Sequence, residues 1–561
     1  MYIEISKKTV KNRVYEYILL RKSTRDKKSG KIIKETIANL TNEPVEQVMS
    51  IVNALKGNKA VNPKDLHQNK KIAFSLVVYF IMNLLGIVKA IGKTSEAKIA
   101  IVLVAARVII QSSRLQALKW TKRDYILDVV SFSQKEKDKL TDKTIYKGLD
   151  YLYTNQDTIE NELFQSYYKD NPPKRVFYDV TSSYVQGEYE DSELIDYGYN
   201  RDKKRGTKQV VIGLLCDEDG HALSIHTYPG NTNDVKTFAD QLDKLKQRFK
   251  LDAITVVGDG GMIKSEDIGK IKELGYDYIT SIGKPSIKKL INDTDSKIDM
   301  SLFDEELQEL IDEDKGVRYI LRQNPSRRDE IRETRESKIT RLQEYIDIRV
   351  EYYNTHYKAK SETLCKDIDK KISNLKLSQF ISYDITYKDD DISVTNPKTK
   401  EVETKTKALA TVTIITDEET KQEIAKLDGC YVVTTSLIDT TKDTKEDIHK
   451  AYKTLIKVEN AFKTIKTEYL EIRPLYLRTD SRIKGHIFLS MLAYNIVLKL
   501  RGYISKADLD FKDTIQRVND IATVKVQFTK KIAISYIPTV GEDIQKLFDI
   551  MKFKLPHKVS Y

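Results

Sequence analysis

Three carboxylate side chains lie where the surrounding residues predict a buried strand or the apolar face of a helix. They belong to Asp179, Asp259 and Glu459, in the segments FYDVT, VGDGG and KVENA. Burying a charge costs free energy unless the charge is paired or binds a metal ion. Mg²⁺ prefers oxygen ligands such as these, and two such ions can activate the attacking oxygen and stabilise the leaving oxygen at phosphorus. The pattern therefore predicts a divalent-metal site for phosphodiester chemistry.

The elements around the first two carboxylates predict a mixed α/β sheet. Asp179 lies in the first predicted strand, and Asp259 directly follows the fourth. Apolar segments predict strands at 176–185, 209–216, 221–228, 253–258 and 278–282, and helices at 234–249 and 265–274. Because three successive strands precede alternating helices and strands, we expect an α/β fold with a ribonuclease-H-like core.

The third carboxylate lies on a helix predicted from 444 to about 467. Residues at spacings of three and four share one face of a helix, and this face carries Tyr452, Leu455, Glu459, Phe462 and Lys466. A Glu and a Lys seven residues apart on such a face are also compatible with a structural salt bridge. The two Asp segments upstream favour a metal-binding Glu459 and a phosphate contact by Lys466.

The sequence pattern divides the chain into six predicted segments: 1–68, a basic β-hairpin and helix module that contacts DNA; 69–170, helical; 171–284, the first part of the core; 285–438, a mixed α/β insertion; 439–505, the second part of the core; and 506–561, a helical C-terminal region. Within the insertion, the charged stretch 327–377 predicts one or two helices, and 381–416 predicts short strands with Lys-rich turns. A separate linker domain is an alternative to an insertion.

Composition narrows the class of partner. The chain has 561 residues, is 40% hydrophobic and carries a net charge of +12, which favours nucleic acid or an anionic membrane as partner. Most of the basic excess lies in residues 1–70, although a well-solvated N-terminal cap is an alternative interpretation of that segment.

The three cysteines are isolated, so no zinc site is indicated and a reducing compartment is expected. The apolar run 72–88 is at the lower edge of membrane-span length, and we expect a buried core helix there.

Across about residues 170–500, the chain resembles DDE transposases of the insertion-sequence 4 superfamily, most closely its insertion-sequence 1634 group. The segments FYDVT and VVGDGGM resemble the two Asp motifs, and 229–234 resembles the family's GNxxD turn. The segment 196–201, with Arg205 and Gln209, resembles a conserved basic loop. The last family signature spaces Tyr, Arg, Glu and Lys as Tyr452, Leu455, Glu459 and Lys466 are spaced here, so Leu455 replaces the expected Arg; Lys457 and Lys463 are candidates to compensate.

The resemblance implies a cut-and-paste DNA transposase in a bacterial cytoplasm, associated with the nucleoid and with no membrane. Asp179, Asp259 and Glu459 would be the catalytic ligands of two Mg²⁺ ions, with Mn²⁺ able to substitute. The partners implied are double-stranded DNA with terminal inverted repeats, target DNA and a second copy of the chain in a synaptic complex. The residues expected to contact DNA are Tyr452, Lys466, Lys463, Arg201, Lys203, Lys204, Arg205, Gln209 and Arg473.

The sequence leaves two alternatives to an active transposase. A ribonuclease-H-fold nuclease without strand transfer needs neither a basic N-terminal module nor a long insertion. A transposase-derived DNA-binding protein without catalysis has no reason to retain three unpaired buried acids. If a base is flipped out during the reaction, Tyr319, Phe380 and Tyr431 in the insertion are candidates to clamp it. His486 begins an apolar helix, and we expect it to be structural.

Overall fold

The computed structural model describes residues 1–10, 13–25, 30–56, 66–201, 204, 206–293, 298–395, 402–473, 475–529 and 532–556. It contains two compact units. The first comprises Met1–Val256, Gly261–Tyr276 and Thr454–Tyr561, and the second comprises Val257–Gly260 and Asp277–Lys453. The architecture is mixed α/β, as the sequence predicted. The ribonuclease-H-like arrangement of the core remains a prediction.

The first unit begins with an antiparallel sheet of β1 (Tyr2–Val10), β2 (Arg13–Arg25) and β3 (Ile32–Asn39). Helix α1 (Val45–Leu55) follows, and its apolar face packs against β1 and β2. The predicted hairpin corresponds to β2 and β3. Strand β1 was not predicted, because its polar residues become a strand only through pairing with β2 along its whole length.

A helical region follows, in which apolar side chains are buried on several faces of each long helix. Helix α4 is apolar around its whole circumference, as expected for a helix surrounded by protein. The run 72–88 forms two of these helices, which bury most of their apolar side chains. The elements are β4 (Leu66–Lys71), α2 (Ala73–Leu84), α3 (Ile87–Ile91), α4 (Ser95–Ile110), α5 (Arg114–Thr121), α6 (Ile126–Val129), α7 (Gln134–Asp138) and α8 (Lys147–Tyr168).

Asp124 is a buried carboxylate that connects α2 to the start of α6. Its Oδ1 accepts hydrogen bonds from Ser75 Oγ at 2.6 Å and from the Ile126 N–H at 2.9 Å. Burial raises the pKa of this carboxyl from 3.8 to about 6, and the two hydrogen bonds oppose that rise. Asp124 is therefore a group whose ionisation the folded state disfavours.

Replacing Asp124 with Asn is expected to flatten the pH dependence of stability. Between about pH 4 and pH 6 the folded state binds more protons at this carboxyl than the unfolded state, so raising the pH over that range costs about 3 kcal/mol of unfolding free energy. Asp124→Asn removes this loss and keeps an oxygen acceptor for Ser75. Denaturant unfolding at pH 4, 5, 6 and 7 tests this expectation, and equal slopes in the two proteins would contradict it.

The central strands of the first unit are β5 (Arg175–Tyr184), β6 (Gln209–Cys216), β7 (Ala222–Pro229) and β8 (Thr255–Gly258), in the order β8-β5-β6-β7. The pairs β5–β6 and β6–β7 are antiparallel, and every residue of β6 is buried. Helix α9 (Asp234–Asp243) continues into a π-helical turn, Lys244–Arg248, and α10 is Ser265–Glu273. The chain enters the second unit within β8, after Val256.

The second unit has a sheet of antiparallel neighbours in the order β10-β11-β14-β9 and a long hairpin, β12–β13, packed against two helices. The prediction of short strands with Lys-rich turns at 381–416 was wrong: each hairpin strand has 15 residues, and lysines lie within the strands, with Lys388 exposed and Lys407 buried. The elements are β9 (Asp277–Ile282), α11 (Lys284–Asn292), β10 (Gln308–Asp312), β11 (Val317–Gln323), α12 (Pro325–Thr355), α13 (Ser361–Leu375), β12 (Ile381–Thr395), β13 (Val402–Thr416), α14 (Glu418–Lys426), β14 (Cys430–Thr435) and α15 (Lys445–Lys453).

The chain then returns to the first unit. The C-terminal region, predicted to be helical, also contains strands: β15 pairs with β16 and with β4. Local pattern could not show this, because the pairing joins segments about 450 residues apart. The elements are α16 (Ile456–Lys463), a π-helical turn (Thr464–Glu468), α17 (Asp480–Lys506), α18 (Phe511–Asp520), β15 (Ala522–Thr529), β16 (Ile532–Tyr536) and α19 (Glu542–Met551).

The single helix predicted from 444 to 467 is corrected to α15, α16 and the π-helical turn that follows. Helix α15 packs against β9, β11 and β14 in the second unit, whereas α16 packs against β5 and β6 in the first. The break at Thr454 and Leu455 is therefore where the chain changes units. Helical periodicity alone could not reveal it, because tertiary packing decides where a helix ends.

One helix in the described part of the chain, α17, is long and apolar enough to cross a membrane. Of its apolar window, 72% is buried inside the protein. The bent pair α4 and α5 passes the same test only if both helices are taken as one span, and they meet at 94°. Burial of this extent is what the core helix of a folded unit requires.

Candidate functional site

Asp179 lies in the middle of β5, half-buried between fully buried neighbours, and pairs with Leu214 of β6. Its Oδ1 accepts a hydrogen bond from the Val180 N–H at 2.7 Å. A carboxylate on this strand has little freedom of movement, because β5 lies between β8 and β6 and the residue is paired with β6. The structure thus places Asp179 on a rigid element, as the sequence predicted.

Lys466 is buried against the same strand. Its Nζ donates a hydrogen bond to Thr181 Oγ1 at 2.9 Å, and both side chains are less than a tenth exposed. Side chains two residues apart on a strand point to the same face, so Thr181 shares a face with Asp179. The π-helical turn Thr464–Glu468 carries Lys466 to this position. The ammonium group therefore lies on the Asp179 face of β5.

The Thr181 hydroxyl is expected to matter because it accepts a hydrogen bond from a buried cation. Thr181→Val keeps the side-chain shape and should lower the free energy of unfolding by about 1–3 kcal/mol, whereas Thr181→Ser should retain most of the stability. In a Lys466→Met background, the cost of Thr181→Val should largely disappear. Denaturant unfolding of the wild type, Thr181→Val, Lys466→Met and the double variant measures this coupling, and an undiminished cost in the Lys466→Met background would contradict it.

Glu459 is exposed in the first turn of α16. The buried side of that helix is formed by Val458, Ala461 and Phe462. Because α16 packs on β5, the helix of Glu459 lies against the strand of Asp179. The prediction that Glu459 lies on the buried apolar face of its helix was wrong: the side chain is exposed, and a carboxylate in that position is accessible to a ligand.

Asp259 follows the buried strand β8 and is itself exposed, in the second unit. Its Oδ1 accepts hydrogen bonds from the Gly260 N–H at 2.7 Å, Ser281 Oγ at 3.3 Å and the Tyr452 hydroxyl at 3.4 Å. Tyr452 belongs to α15 and Ser281 to β9. One backbone N–H of the following turn and two side-chain hydroxyls, from β9 and α15, therefore orient this carboxylate.

Gly260 leaves no room for a side chain. A Cβ atom at this position would lie 2.2 Å from the Ser281 carbonyl oxygen, far inside van der Waals contact. The close approach of the two backbones puts the Asp259 carboxylate within reach of the Ser281 hydroxyl. Ser281 carries no signal in the sequence, since a serine near the end of an apolar strand is unremarkable in type and spacing.

In the part of the chain that the structure describes, no three His, Cys, Asp or Glu side chains are grouped closely enough to hold a metal ion. Asp179 and Glu459 belong to the first unit and Asp259 to the second. The donor chemistry itself fits Mg²⁺, because all three groups offer carboxylate oxygens and none is fully buried.

The segment between β5 and β6 contains the predicted basic run. The Arg201 N–H donates to Ser182 Oγ at 3.0 Å, and Lys204 Nζ lies 4.3 Å from the centre of the Tyr184 ring. Lys203 and Arg205, also predicted to contact DNA, lie outside the described residues.

Burial contradicts the prediction that Gln209 contacts DNA. Only 1% of this residue is exposed, and its Nε2 donates to the carbonyl oxygens of Gly230 at 2.8 Å and Tyr199 at 3.2 Å. An amide enclosed in this way holds the preceding loop in place and does not reach a DNA backbone. Its role in this structure is to fix the loop.

Leu455 stands where the family has an Arg, and the two lysines that could take over its role each have a partner in the structure. Lys457 Nζ donates to the Glu218 carbonyl oxygen at 2.6 Å, in the turn between β6 and β7. Lys463 forms an exposed ion pair with Glu468 at 2.7 Å. Exposed ion pairs contribute little stability, so Lys463 can exchange this partner for a DNA phosphate. Lys463 thus stays a candidate DNA contact, whereas Lys457 holds a turn. Arg473 is half-buried in the segment before α17.

Other singled-out residues prove structural. His486 is buried and lies 3.3 Å from Arg114 Nη1; burial, Arg114 and Arg107 hold its pKa well below the usual range. Tyr319 and Phe380 are buried in hydrophobic clusters of the second unit. Neither ring is therefore displayed to clamp a base. The Tyr431 hydroxyl is hydrogen-bonded with His449 Nε2.

Comparison with known protein families places the chain in a family. A family model described as the transposase DDE domain matches residues 170–496, which include all three carboxylates. A model of the IS1634 family transposase N-terminal domain matches residues 3–68. The chain therefore belongs to the DDE transposases, and within them to the IS1634 group.

No curated protein matches the chain. Among solved structures, the Mos1 transposase paired-end complex with left transposon end is similar at 14% identity and a TM-score of 0.14. The match covers 30% of this chain and 53% of that one, so this chain spans about half the length of the Mos1 protein.

Proposed function

We propose that this transposase binds the terminal inverted repeats of its insertion sequence and performs metal-dependent cleavage and strand transfer on DNA. The observation that carries the proposal is the packing of the Glu459 helix on the Asp179 strand, with Lys466 bound to Thr181 on the same face of that strand. The transposase DDE match over residues 170–496 supports it independently.

The metal ions expected are two Mg²⁺, for which Mn²⁺ can substitute, and their ligands are Asp179, Asp259 and Glu459. When bound, such ions activate the attacking oxygen and stabilise the leaving oxygen of an in-line displacement at phosphorus. Three carboxylates and no soft ligand match this hard cation. The carboxylates keep open sides, since Glu459 and Asp259 are exposed.

The protein's own groups orient these ligands. The Gly260 N–H, Ser281 and Tyr452 hold Asp259 by hydrogen bonds, so its second oxygen is directed away from them. Lys466 supplies a positive charge on the Asp179 face, where a phosphate of the substrate would otherwise meet only carboxylates. Tyr452 is suited to contact the DNA strand through the edge of its ring as well as to hold Asp259.

Binding of DNA is proposed to depend mainly on phosphate contacts. The net charge of +12 and the basic N-terminal domain provide cations for them, and each neutralised phosphate makes affinity more sensitive to salt. Readout of the repeat sequence needs groove contacts, which we assign to the domain at residues 3–68. A homodimer holding two element ends, then engaging target DNA at the nucleoid, completes the proposal.

The proposed reaction has two kinds of step. Water first attacks the phosphorus at the element end and the 3′ oxygen leaves as a hydroxyl. That 3′ hydroxyl then attacks a phosphodiester of the opposite strand or of the target, and the 3′ oxygen of the attacked strand leaves as a hydroxyl. Attack on the opposite strand closes a hairpin, which a second water must reopen before the element is joined to the target. Whether a hairpin forms is a further part of the proposal, drawn from the family.

The decisive experiment is cleavage of a labelled duplex carrying the element's own terminal repeat, with Mg²⁺, by wild type and Glu459→Gln. End-specific products that need Mg²⁺ and vanish in the variant would support the proposal. A matched control is Glu273→Gln, an exposed glutamate at the end of α10. Tight, salt-sensitive binding without cleavage by the wild type would instead indicate a DNA-binding protein derived from a transposase.

A further inference from the structure

Lys466 is carried by a turn of rare geometry. The turn Thr464–Glu468 is π-helical, and such turns are uncommon and frequently lie at functional sites. Shortly after the turn, the backbone passes through Glu471 in the left-handed conformation, with φ at 45°, which residues other than glycine rarely adopt. Backbone of this kind persists only where the surrounding structure holds it. The groups that hold this turn therefore also fix the place of Lys466.

Helix α4 holds the end of the turn. Arg107 Nη1 donates hydrogen bonds to the carbonyl oxygens of Leu470 at 3.1 Å and Gln111 at 3.4 Å. The Tyr469 hydroxyl donates to the Val108 carbonyl oxygen at 2.9 Å. Two side-chain contacts thus join the C-terminal end of α4 to the two residues that follow the turn.

Helix α17 holds the start of the same turn. Arg501 Nη1 donates a hydrogen bond to Thr464 Oγ1 at 3.0 Å. The Leu470 N–H donates to the Thr464 carbonyl oxygen at 3.0 Å, so the two ends of the turn are also bonded to each other. The turn is therefore held at both ends, by side chains of two helices that each lie in another part of the sequence.

Arg107 is buried, with only 6% of the residue exposed. Burying a guanidinium group costs free energy unless its donors are bonded, and here they bind backbone carbonyl oxygens. Arg presents its donors in a rigid planar fork, whereas Lys has a flexible stem. A buried Arg on these carbonyl oxygens therefore fixes the path of the backbone after the turn. The residue precedes the match to the transposase DDE domain, which begins at residue 170.

We propose that Arg107 is a positioning residue for the reaction, because it holds the π-helical turn that directs the Lys466 ammonium to the Asp179 face of β5. The inference rests on the proposed function, in which Lys466 contacts a phosphate of the DNA. It extends the machinery of the reaction to the helical region that precedes the core. A displacement of the ammonium by about 1 Å would cost about 100-fold in rate.

The test is a double-mutant cycle on the single-turnover rate at which the labelled terminal repeat is cleaved with Mg²⁺. Arg107→Met keeps the bulk of the side chain and removes its donors, and it should lower the rate about 30-fold. Lys466→Met should lower the rate about 100-fold. In the Lys466→Met background, Arg107→Met should cost less than about twofold, since the turn then has no ammonium to position.

Tyr469→Phe supplies a second, milder variant, because Arg107→Met is also expected to destabilise the fold. It removes the hydroxyl bonded to Val108 and keeps the ring, so it should lower the rate about fivefold, again only where Lys466 is present. The control is Val102→Ala, which removes buried methyl groups from a different face of α4. It should lower the melting temperature and leave the cleavage rate of the folded protein unchanged.

The possible outcomes separate the positioning role from the proposed function. Equal fold losses from Arg107→Met and Tyr469→Phe with and without Lys466 would overturn the positioning role. A loss of rate in Val102→Ala as large as in Arg107→Met would overturn it too, because stability alone would then explain the effect. Wild type that binds the terminal repeat without Mg²⁺-dependent cleavage, or Lys466→Met that cleaves at the wild-type rate, would instead overturn the proposed function.

Discussion

Glu459→Gln is expected to lower the rate of DNA cleavage by about 10³-fold or more while leaving DNA affinity nearly unchanged. The substitution keeps the shape of the side chain and removes its negative charge, so a ligand of the metal ions is weakened. A thousandfold loss corresponds to about 4 kcal/mol of transition-state stabilisation, within what bound ions contribute at phosphorus. The exposed position of Glu459 makes the effect on folding small.

Single-turnover cleavage of the labelled terminal repeat measures this effect, with filter or gel binding of the same duplex in parallel. Glu273→Gln should cleave at the wild-type rate, since that glutamate is exposed on α10. Mn²⁺ should recover part of the activity of Glu459→Gln, because it tolerates a weaker oxygen donor. Cleavage by Glu459→Gln within tenfold of the wild type would remove this residue from the catalytic set.

Gly260→Ala is expected to lower the cleavage rate by about 100-fold without touching any charged group. The new methyl would lie 2.2 Å from the Ser281 carbonyl oxygen, so either β9 or the Asp259 segment must move. Asp259 directly precedes this glycine and is bonded to its N–H and to Ser281. A catalytic group displaced by about 1 Å costs about 100-fold in rate.

The control for this variant is Gly269→Ala in α10, where a Cβ meets nothing within 4 Å. Alanine is a better helix former than glycine, so Gly269→Ala should be neutral or slightly stabilising. Cleavage rates and melting temperatures of both variants decide the matter. Wild-type cleavage by Gly260→Ala would mean that the backbone at Asp259 adapts and that its exact placement is unimportant.

Strand pattern predicted most of the framework around the first Asp. The apolar run 209–216 became β6 with the same limits, and 176–185 became β5 with a shift of one residue at each end. Such runs are readable because burial on both faces demands continuous apolar residues. The family motifs located Asp179, Asp259 and Glu459, and the family match over residues 170–496 covers all of them.

Packing between distant segments decided what local pattern could not. The helix of Tyr452 and Glu459 breaks at Leu455 because its two halves pack in different units. The family resemblance predicted that Gln209 contacts DNA, yet its side chain is enclosed by carbonyl groups. Helical spacing put Lys466 on a face, but only the π-helical turn shows that it meets Thr181.

The sequence by itself determined the identity and order of the chemical groups: three carboxylates, an apolar strand beneath the first, and a basic chain suited to DNA. Those properties depend on residue type and short spacing, which a linear pattern contains. The tertiary structure alone decided which donors orient Asp259, which hydroxyl meets Lys466, and which helices hold the turn that carries it. Each of these depends on contacts between residues far apart in the chain, and local periodicity carries no information about such contacts.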